Sequence, residues 1–244
     1  MRNHIIKIII NYKLITFFSN FVFSYYLNMI YRKEKQIKIA FCGPSTCGKS
    51  TVIEKILASN PTLRKSITVV KLDSYIYRES ERPKTMMQGE MIPNLDLKES
   101  IDWNPFINEI TRTNTPIVFV DGFITFADNR LHQLIDACVT FEYDIEKDFD
   151  VALYRRIKKS KRFKHENIPS NYLQNTWNDK TKLCYYCTYF HEIVWPEMIK
   201  HPEYRKPSNW NKPILELSAT NDPNSNLQKT LEFIHPLIDP FLNK

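Results

Sequence analysis

The stretch AFCGPSTCGKSTVIEKIL, residues 40–57, joins a run of β-prone residues to a run with helical spacing. Between the two runs, Gly43, Gly48, Lys49 and Ser50 match the pattern G-x-x-x-x-G-K-[ST] in full. Such a loop turns sharply from strand to helix and points backbone N–H groups at a phosphate, and the positive helix end adds to the attraction. The stretch therefore predicts a phosphate-binding loop. A degenerate glycine turn is the alternative, but the flanking strand and helix are the context the motif requires.

The polar residues of this loop have separate expected roles. Lys49 is expected to reach the β- and γ-phosphates of a nucleotide, and the Ser50 hydroxyl is expected to ligate Mg²⁺. Contacts to the nucleotide are predicted along the whole loop, and two arginines of a later basic run complete the predicted site. These nucleotide-binding residues are Gly43, Pro44, Ser45, Thr46, Cys47, Gly48, Lys49, Ser50, Thr51, Arg155 and Arg156.

Two aspartates follow predicted strands and are the candidate catalytic residues beside Lys49. Asp121 ends the strand IVFVD and is expected to hold Mg²⁺ through water. Asp73 ends the strand ITVVKLD, where a carboxylate can accept the proton of a substrate hydroxyl. A small-molecule kinase needs such a group and a hydrolase does not. The guanine-reading Asn-Lys-x-Asp pattern of GTPases does not occur after a later strand. The alternative for each aspartate is an ordinary turn residue.

Strands and helices alternate along the chain. The predicted strands are residues 36–42, 67–73, 115–126, 137–145 and 212–220, and the predicted helices are residues 49–59, 97–110, 148–163 and 224–238. The polar segment 74–96 is predicted to be a loop. This alternation predicts an α/β fold of the P-loop NTPase or kinase type, with a central parallel five-stranded sheet, helices on both faces and a small lid.

Composition narrows the class of protein. The chain is 43% hydrophobic and 25% charged, which is typical of a globular protein and not of a disordered or fibrous one. The net charge of +7 favours anionic partners such as nucleotides. The five cysteines are scattered, which is not typical of a secreted disulfide framework and indicates a reducing compartment.

Residues 1–35 differ in composition from the predicted kinase domain, residues 36–244. Residues 14–31 carry no charged side chain, so they could form a membrane anchor, although Ser, Asn and Tyr weaken that interpretation. The alternative is that translation from Met29 makes the segment dispensable. We expect a cytoplasmic protein, with possible nuclear access and without membrane contact.

Two further patterns each leave alternatives open. The basic run 155–164 could be a lid over the transferring phosphate, a solvated helix face, or a nucleic-acid patch. Cys184 and Cys187 with His191 have some features of a zinc site, but a closed site needs four ligands. The aromatic segment around these cysteines is more typical of core packing or of a wall of the substrate cleft.

Several segments together resemble nicotinamide riboside kinases, which belong to the uridine-kinase-like group of P-loop kinases. The segments are GPSTCGKST, KLDSYIY, NLDLKESIDW, VDGFITF and YFHEIVWPEMIKHPEYR, in that order along the chain. The resemblance implies ATP and Mg²⁺ as cofactors and phosphorylation of the 5′-hydroxyl of nicotinamide riboside, in NAD synthesis. It places Asp73 on the catalytic aspartate, Asp121 on the acidic residue after the third core strand, and Asp96 on the aspartate that holds the ribose hydroxyls.

The chain departs from that family at the acceptor site. Leu95 stands where an aromatic residue usually stacks on the nicotinamide. The ribose-contacting arginine is not uniquely matched, and Lys159, Arg156 and Arg162 are candidates. A uridine or cytidine kinase is therefore one alternative, and a nucleotide-regulated binding protein on membranes or nucleic acid is another. The expected partner is a small nucleoside and not nucleic acid, and the oligomeric state is open.

Overall fold

The structure is a computed structural model that describes residues 36–159 and 185–242. Within these residues the strands are β1 (Ile37–Cys42), β2 (Ile67–Lys71), β3 (Lys84–Met87), β4 (Glu90–Pro93), β5 (Ile117–Gly122), β6 (Ala137–Glu142) and β7 (Ile214–Ser218). The α-helices are α1 (Lys49–Ser59), α2 (Pro61–Ser66), α3 (Trp103–Arg112), α4 (Arg130–Leu134), α5 (Phe149–Lys159), α6 (Tyr185–Tyr189), α7 (Trp195–Lys200) and α8 (Pro223–Leu242).

Shorter helical turns connect these elements. A π-helical turn, Phe190–Val194, joins α6 to α7 without a break. The 3₁₀ turns are Leu72–Tyr75, Glu79–Glu81, Lys98–Ser100, Thr125–Ala127 and Pro202–Tyr204. The first of these turns directly follows β2 and carries the candidate catalytic aspartate.

The central sheet has five parallel strands in the order β2-β5-β1-β6-β7. In the register of its inner strands, Cys42 at the end of β1 lies beside Gly122 of β5 and Thr140 of β6. The carboxyl ends of three neighbouring strands therefore meet at the start of the phosphate loop. In an open parallel sheet this edge is where ligands bind.

Apolar cores cover both faces of the sheet. Along β1, Ile39 and Phe41 enter one core, whereas Ala40 and Cys42 enter the other, as the period of two in a strand requires. The first core contains buried residues of α1 and α8, and the second contains buried residues of α3. Because both faces are covered, the inner strand β5 begins with a continuous buried apolar run, Ile117–Val120.

The predicted fold class is confirmed. The five-stranded parallel sheet, the helices on both faces and the strand–loop–helix unit from β1 to α1 are all present. Of the basic run 155–164, the candidate lid, residues 155–159 form the end of α5, and residues 160–164 lie outside the described residues.

The prediction that residues 74–96 form a loop was wrong in part. They contain an antiparallel hairpin of β3 and β4, turning at Gln88 and Gly89, which both have positive φ (50° and 86°). Met87 and Ile92 are buried while Met86 and Met91 are exposed. Strands of four residues are too short for their alternation to stand out in a polar sequence.

Helix boundaries also differ from prediction. The helix expected at residues 97–110 begins at Trp103, after a 3₁₀ turn at Lys98–Ser100, and Pro105 lies in its first turn, where proline is tolerated. The last helix is longer than expected and spans Pro223–Leu242.

None of the helices in the described residues combines the length and the apolar character needed to cross a membrane. Residues 14–31, the candidate anchor in the sequence, lie outside that part of the chain.

Candidate active site

The phosphate loop connects β1 to α1 and depends on left-handed backbone at three residues. Gly43, Thr46 and Gly48 have φ values of 137°, 70° and 108°. Conformations of this kind turn successive backbone N–H groups toward one point, which makes an anion-binding concavity. At Gly43 a side chain is also excluded by space, because a Cβ would lie 2.3 Å from the carbonyl oxygen of Phe141 on β6.

Gly43→Ala is therefore expected to lower the free energy of unfolding more than Gly48→Ala. Nothing lies within 4 Å of a Cβ built on Gly48, so that change adds only backbone strain, about 1 kcal/mol. At Gly43 the clash with the backbone of β6 adds to this strain, and we expect a loss of about 3 kcal/mol. Urea unfolding of both variants measures the difference. Gly89→Ala is the control, because Gly89 also has positive φ and nothing lies within 4 Å of a Cβ built on it. Equal losses of unfolding free energy at Gly43 and Gly48 would contradict the argument.

Lys49 lies at the start of α1 and is 7% exposed. Its Nζ donates hydrogen bonds to the carbonyl oxygens of Gly43 (2.7 Å) and Pro44 (2.9 Å). The ammonium group is therefore held inside the loop. Burial alone lowers the pKa of the Lys49 ammonium, but nearby acidic groups, among them the Asp121 and Asp73 carboxylates, more than offset this and raise it above its ordinary value. Lys49 is therefore a permanent positive charge inside the loop.

Cys47 is 1% exposed and lies behind Lys49, with Sγ 3.7 Å from Nζ. Burial raises the pKa of the Cys47 thiol, and this effect exceeds the opposite effect of the Lys49 charge. The thiol is therefore neutral at physiological pH, and Cys47 is a packing residue of the loop.

Ser50 and Asp121 meet across the base of the loop. The Ser50 hydroxyl donates to Oδ2 of Asp121 at 2.7 Å. A hydroxyl and a carboxylate in contact are hard oxygen donors, the kind that Mg²⁺ prefers when a phosphate completes its coordination. These two residues therefore fit the Mg²⁺ that the sequence predicts. Among the described residues, no group of three or more His, Cys, Asp or Glu side chains forms a further metal site.

A cavity of about 630 Å³, here called the loop pocket, opens above the phosphate loop. Its walls include Lys49, Ser50 and Thr51 of the loop and α1, and the two predicted catalytic aspartates, Asp73 and Asp121. Basic side chains from outside the loop also line it, namely Lys71, Arg155, Lys158 and Lys159. The pocket thus combines a phosphate-binding loop, an exposed carboxylate and several cations.

A second cavity of about 360 Å³, here called the side pocket, adjoins the loop pocket at Ser45 and Phe123, which line both. Its other walls include Asp96, Leu97, Met198, His201 and Tyr204. The rings of His201 and Tyr204 are stacked, with centroids 4.5 Å apart. The side pocket therefore offers a carboxylate and apolar and aromatic surfaces next to the phosphate site.

Arg205 ties the wall of the side pocket to the central sheet. It is 3% exposed, and its guanidinium pairs with Glu142 of β6 at 3.2 Å. It also donates to the carbonyl oxygens of Met198 (3.0 Å) and His201 (3.4 Å). Since its charge is satisfied within the protein, Arg205 is a structural support of this wall.

Asp96 is held by a buried polar cluster. Its Oδ2 accepts hydrogen bonds from the Tyr189 hydroxyl (3.1 Å) and from Arg156 (3.5 Å). The same hydroxyl lies 3.3 Å from Oδ1 of Asn94 and 3.2 Å from the Leu95 N–H. Burial and the Asp96 carboxylate raise the pKa of Tyr189 well above its ordinary value, so the hydroxyl stays protonated. The cluster fixes the acceptor-side carboxylate between α5 and α6.

The structure brings most of the predicted nucleotide-binding residues together. Those lining the loop pocket are Ser45, Thr46, Gly48, Lys49, Ser50, Thr51 and Arg155. Arg155 also donates to the Ala219 carbonyl oxygen after β7, at 2.7 Å. Arg156 turns instead toward Asp96, where its guanidinium lies 3.5 Å from the carboxylate.

The predicted acceptor residues are more dispersed. Asp96 lines the side pocket, and Asp73 lines the loop pocket. Leu95 lines neither, and the next apolar residue, Leu97, faces the side pocket in its place. Lys159 lines the loop pocket, and Arg162 lies outside the described residues. Of the zinc candidates, Cys187 is buried, His191 is exposed and Cys184 lies outside the described residues.

Sequence reasoning missed Tyr189 and Lys71. The contact of Tyr189 with Asp96 depends on how α6 packs, and no local pattern signals it. Lys71 could have been found, because it lies two residues before Asp73 at a strand end that faces the site.

No protein-family model matches the chain, and no curated protein matches it. Solved structures are similar to it at 13–14% identity. A sugar kinase from Janibacter sp. aligns over 86% of this chain and 99% of its own (13% identity, TM-score 0.47). A gluconokinase from Sinorhizobium meliloti aligns over 84% and 96% (14%, 0.47), and a shikimate kinase from Bacteroides thetaiotaomicron over 82% and 98% (13%, 0.43). The fold assignment rests on the chain's own sheet order and phosphate loop.

Proposed function

We propose that this chain is a small-molecule kinase that transfers the γ-phosphoryl group of ATP to the 5′-hydroxyl of nicotinamide riboside. The product is the mononucleotide, which feeds NAD synthesis, and nicotinic acid riboside is a second acceptor. The observation that carries the proposal is the shared loop pocket, in which Asp73 lies with Lys49 and the Ser50–Asp121 pair, next to a side pocket that holds Asp96.

In the proposed reaction the acceptor oxygen forms a bond to the γ-phosphorus. The bond from that phosphorus to the β–γ bridging oxygen breaks, and ADP leaves with the electron pair. Asp73 takes the proton of the hydroxyl. Lys49 and Arg155 offset the negative charge of the phosphates. Ser50 and Asp121 would hold Mg²⁺, which would supply further neutralisation of the phosphate charge.

Asp96 is proposed to hold the ribose of the acceptor. Within the described residues, both of its side-chain contacts engage Oδ2, so Oδ1 can accept hydrogen bonds from vicinal hydroxyls. Arg156 and Tyr189 fix the orientation of the carboxylate before the substrate arrives, which lowers the ordering cost of binding. Asp96 is far from the phosphate loop in sequence, but Asp96 and the loop residue Ser45 line the same side pocket.

In this proposal, aromatic residues of the side pocket take the place of the aromatic residue that stacks on the base in nicotinamide riboside kinases. Leu95 does not line the side pocket, and its backbone N–H bonds to Tyr189. Tyr204 and Phe123 do line it and offer aromatic surface to a pyridine ring. A pyrimidine ring could use the same surfaces, so a uridine or cytidine kinase is the second candidate, favoured by the absence of an aromatic residue at position 95.

Replacing Asp96 by asparagine is expected to raise the KM for the riboside by roughly tenfold to a hundredfold, with kcat within a few-fold of wild type. The charged hydrogen bonds to the ribose are lost, and such bonds contribute roughly 1.5–3 kcal/mol. Acceptor-dependent formation of ADP, measured over a range of riboside concentrations, gives both constants. Glu99→Gln, a more exposed carboxylate of the same pocket, is the control. A fall in kcat with an unchanged KM would contradict this role.

A polyanion-binding protein is the rival from another class, motivated by the net charge of +7. Binding to nucleic acid or anionic vesicles would weaken steeply as salt rises, because bound counterions are released. Turnover of a nucleoside that carries at most one charge would not fall steeply as the salt concentration rises. Assays at roughly 50 and 300 mM salt, an about sixfold range, separate the two.

A further inference from the structure

Lys71 is the last residue of β2 and has no role in the site described so far. In the parallel register, Ile67, Val69 and Lys71 of β2 lie beside Ile117, Phe119 and Asp121 of β5. The two apolar pairs lie against the core that α1 covers. Since alternate residues share a face, the side chain of Lys71 emerges on the face of Asp121, just beyond the end of that core.

The surroundings of Lys71 are those of a ligand-binding cation. It is exposed and lines the loop pocket together with Glu54, Asp73 and Asp121. Within the described residues its Nζ forms no hydrogen bond and no ion pair, although three carboxylates line the same cavity. Asp121 is engaged by Ser50 instead. A lysine kept only to neutralise a carboxylate would pair with it, so the cation is available to a ligand.

The position of Lys71 in the sheet indicates which phosphate of a bound nucleotide its side chain can contact. The phosphate loop starts at the end of β1, and β5 separates β1 from β2. Neighbouring strands lie about 4.8 Å apart. The backbone of Lys71 on β2 therefore lies two strand spacings, roughly 10 Å, from the start of the loop at the end of β1. A lysine side chain covers part of that distance. It therefore reaches the phosphate that projects furthest from the loop toward Asp73, and not the phosphates held inside the loop.

We propose that Lys71 binds the terminal phosphate of the nucleoside triphosphate, opposite Lys49, and so distinguishes ATP from ADP. The inference rests on the nucleotide site of the proposed function and not on the identity of the acceptor. During transfer, the γ-phosphorus gains a bond to the acceptor oxygen and loses its bond to the bridging oxygen of ADP. The acceptor proton goes to Asp73, and the ammonium of Lys71 offsets the negative charge of the moving group.

The test is equilibrium binding of ATP and of ADP, with Mg²⁺ and without acceptor, to the full-length wild type, Lys71→Ala and Lys71→Arg. We expect Lys71→Ala to raise the Kd for ATP roughly tenfold to a hundredfold and the Kd for ADP less than about threefold. Lys71→Arg retains the charge and is expected to recover most of the ATP affinity. Lys65→Ala removes an exposed lysine of α2, before the opposite end of β2, and should change neither Kd.

Each other result is decisive. Equal losses of ATP and ADP affinity would show a general charge effect on the pocket and would overturn the inference, as would no loss for either. ATP binding that depends on Lys71, with no turnover of any riboside, would support the inference while overturning the proposed acceptor. Wild-type protein that binds neither nucleotide would overturn both.

Discussion

Replacing Lys49 by methionine is expected to lower the rate of phosphoryl transfer by at least about a thousandfold, because the permanent charge inside the loop is lost where charge shifts in the transition state. Methionine keeps the apolar stem, so the buried position stays filled. Steady-state formation of ADP in the presence of acceptor measures the loss. A calorimetric or fluorescence titration with ATP, run in parallel, shows how much of it is binding.

Lys55→Ala is the matched control for this change. Lys55 lies on the same helix, but its Nζ points to Asn224, at 2.7 Å, away from both pockets. We expect this variant to keep wild-type turnover. If the Lys49 variant kept more than about a tenth of wild-type activity, phosphate binding by this loop would not support the chemistry, and the account of the site would fail.

Asp73→Asn is expected to lower kcat by roughly a hundredfold to ten thousandfold, with little change in the Kd for ATP. The amide has the shape of the carboxylate but cannot accept the proton of the hydroxyl, and general-base catalysis contributes a factor of that size. The residue is exposed in the turn that follows β2, so the substitution should not unfold the protein. Single-turnover assays at saturating ATP separate the chemical step from binding.

The control for Asp73 is Asp150→Asn, an exposed aspartate in the first turn of α5 that lines neither pocket. Its turnover is expected to match that of the wild type. An Asp73 variant with full kcat would mean that another group, or the phosphate itself, takes the proton. The assignment of Asp73 as general base would then be wrong.

The features that could be read from the sequence are local ones. The phosphate loop spans eight residues whose glycines, lysine and serine act through their own backbone and the helix that follows, so the motif alone carries the geometry. The inner strands of the sheet are buried on both sides, and in β5 this gives the continuous apolar run Ile117–Val120. Asp73 and Asp121 could be placed because parallel strands end at one edge of the sheet.

The features that could not be read depend on packing between distant segments. Tyr189 meets Asp96 across 93 positions of sequence, and the orientation of Arg156 toward that pair follows from the packing of α5. Leu95 aligns with the family's base-stacking position, but its backbone N–H bonds to the Tyr189 hydroxyl, and Leu97 lines the pocket. Motif alignment locates a residue along the chain and does not state which way its side chain points.

The most direct test of the account is acceptor-dependent consumption of ATP by the full-length protein, with the mass of the product as a second readout. The panel is nicotinamide riboside, nicotinic acid riboside, uridine, cytidine and no acceptor, each with wild type and Asp73→Asn. We predict ADP and a monophosphorylated riboside with the pyridine ribosides, both lost in the variant. Turnover with the pyrimidine nucleosides alone would overturn the acceptor, and ATP consumption that no acceptor stimulates would contradict the kinase itself.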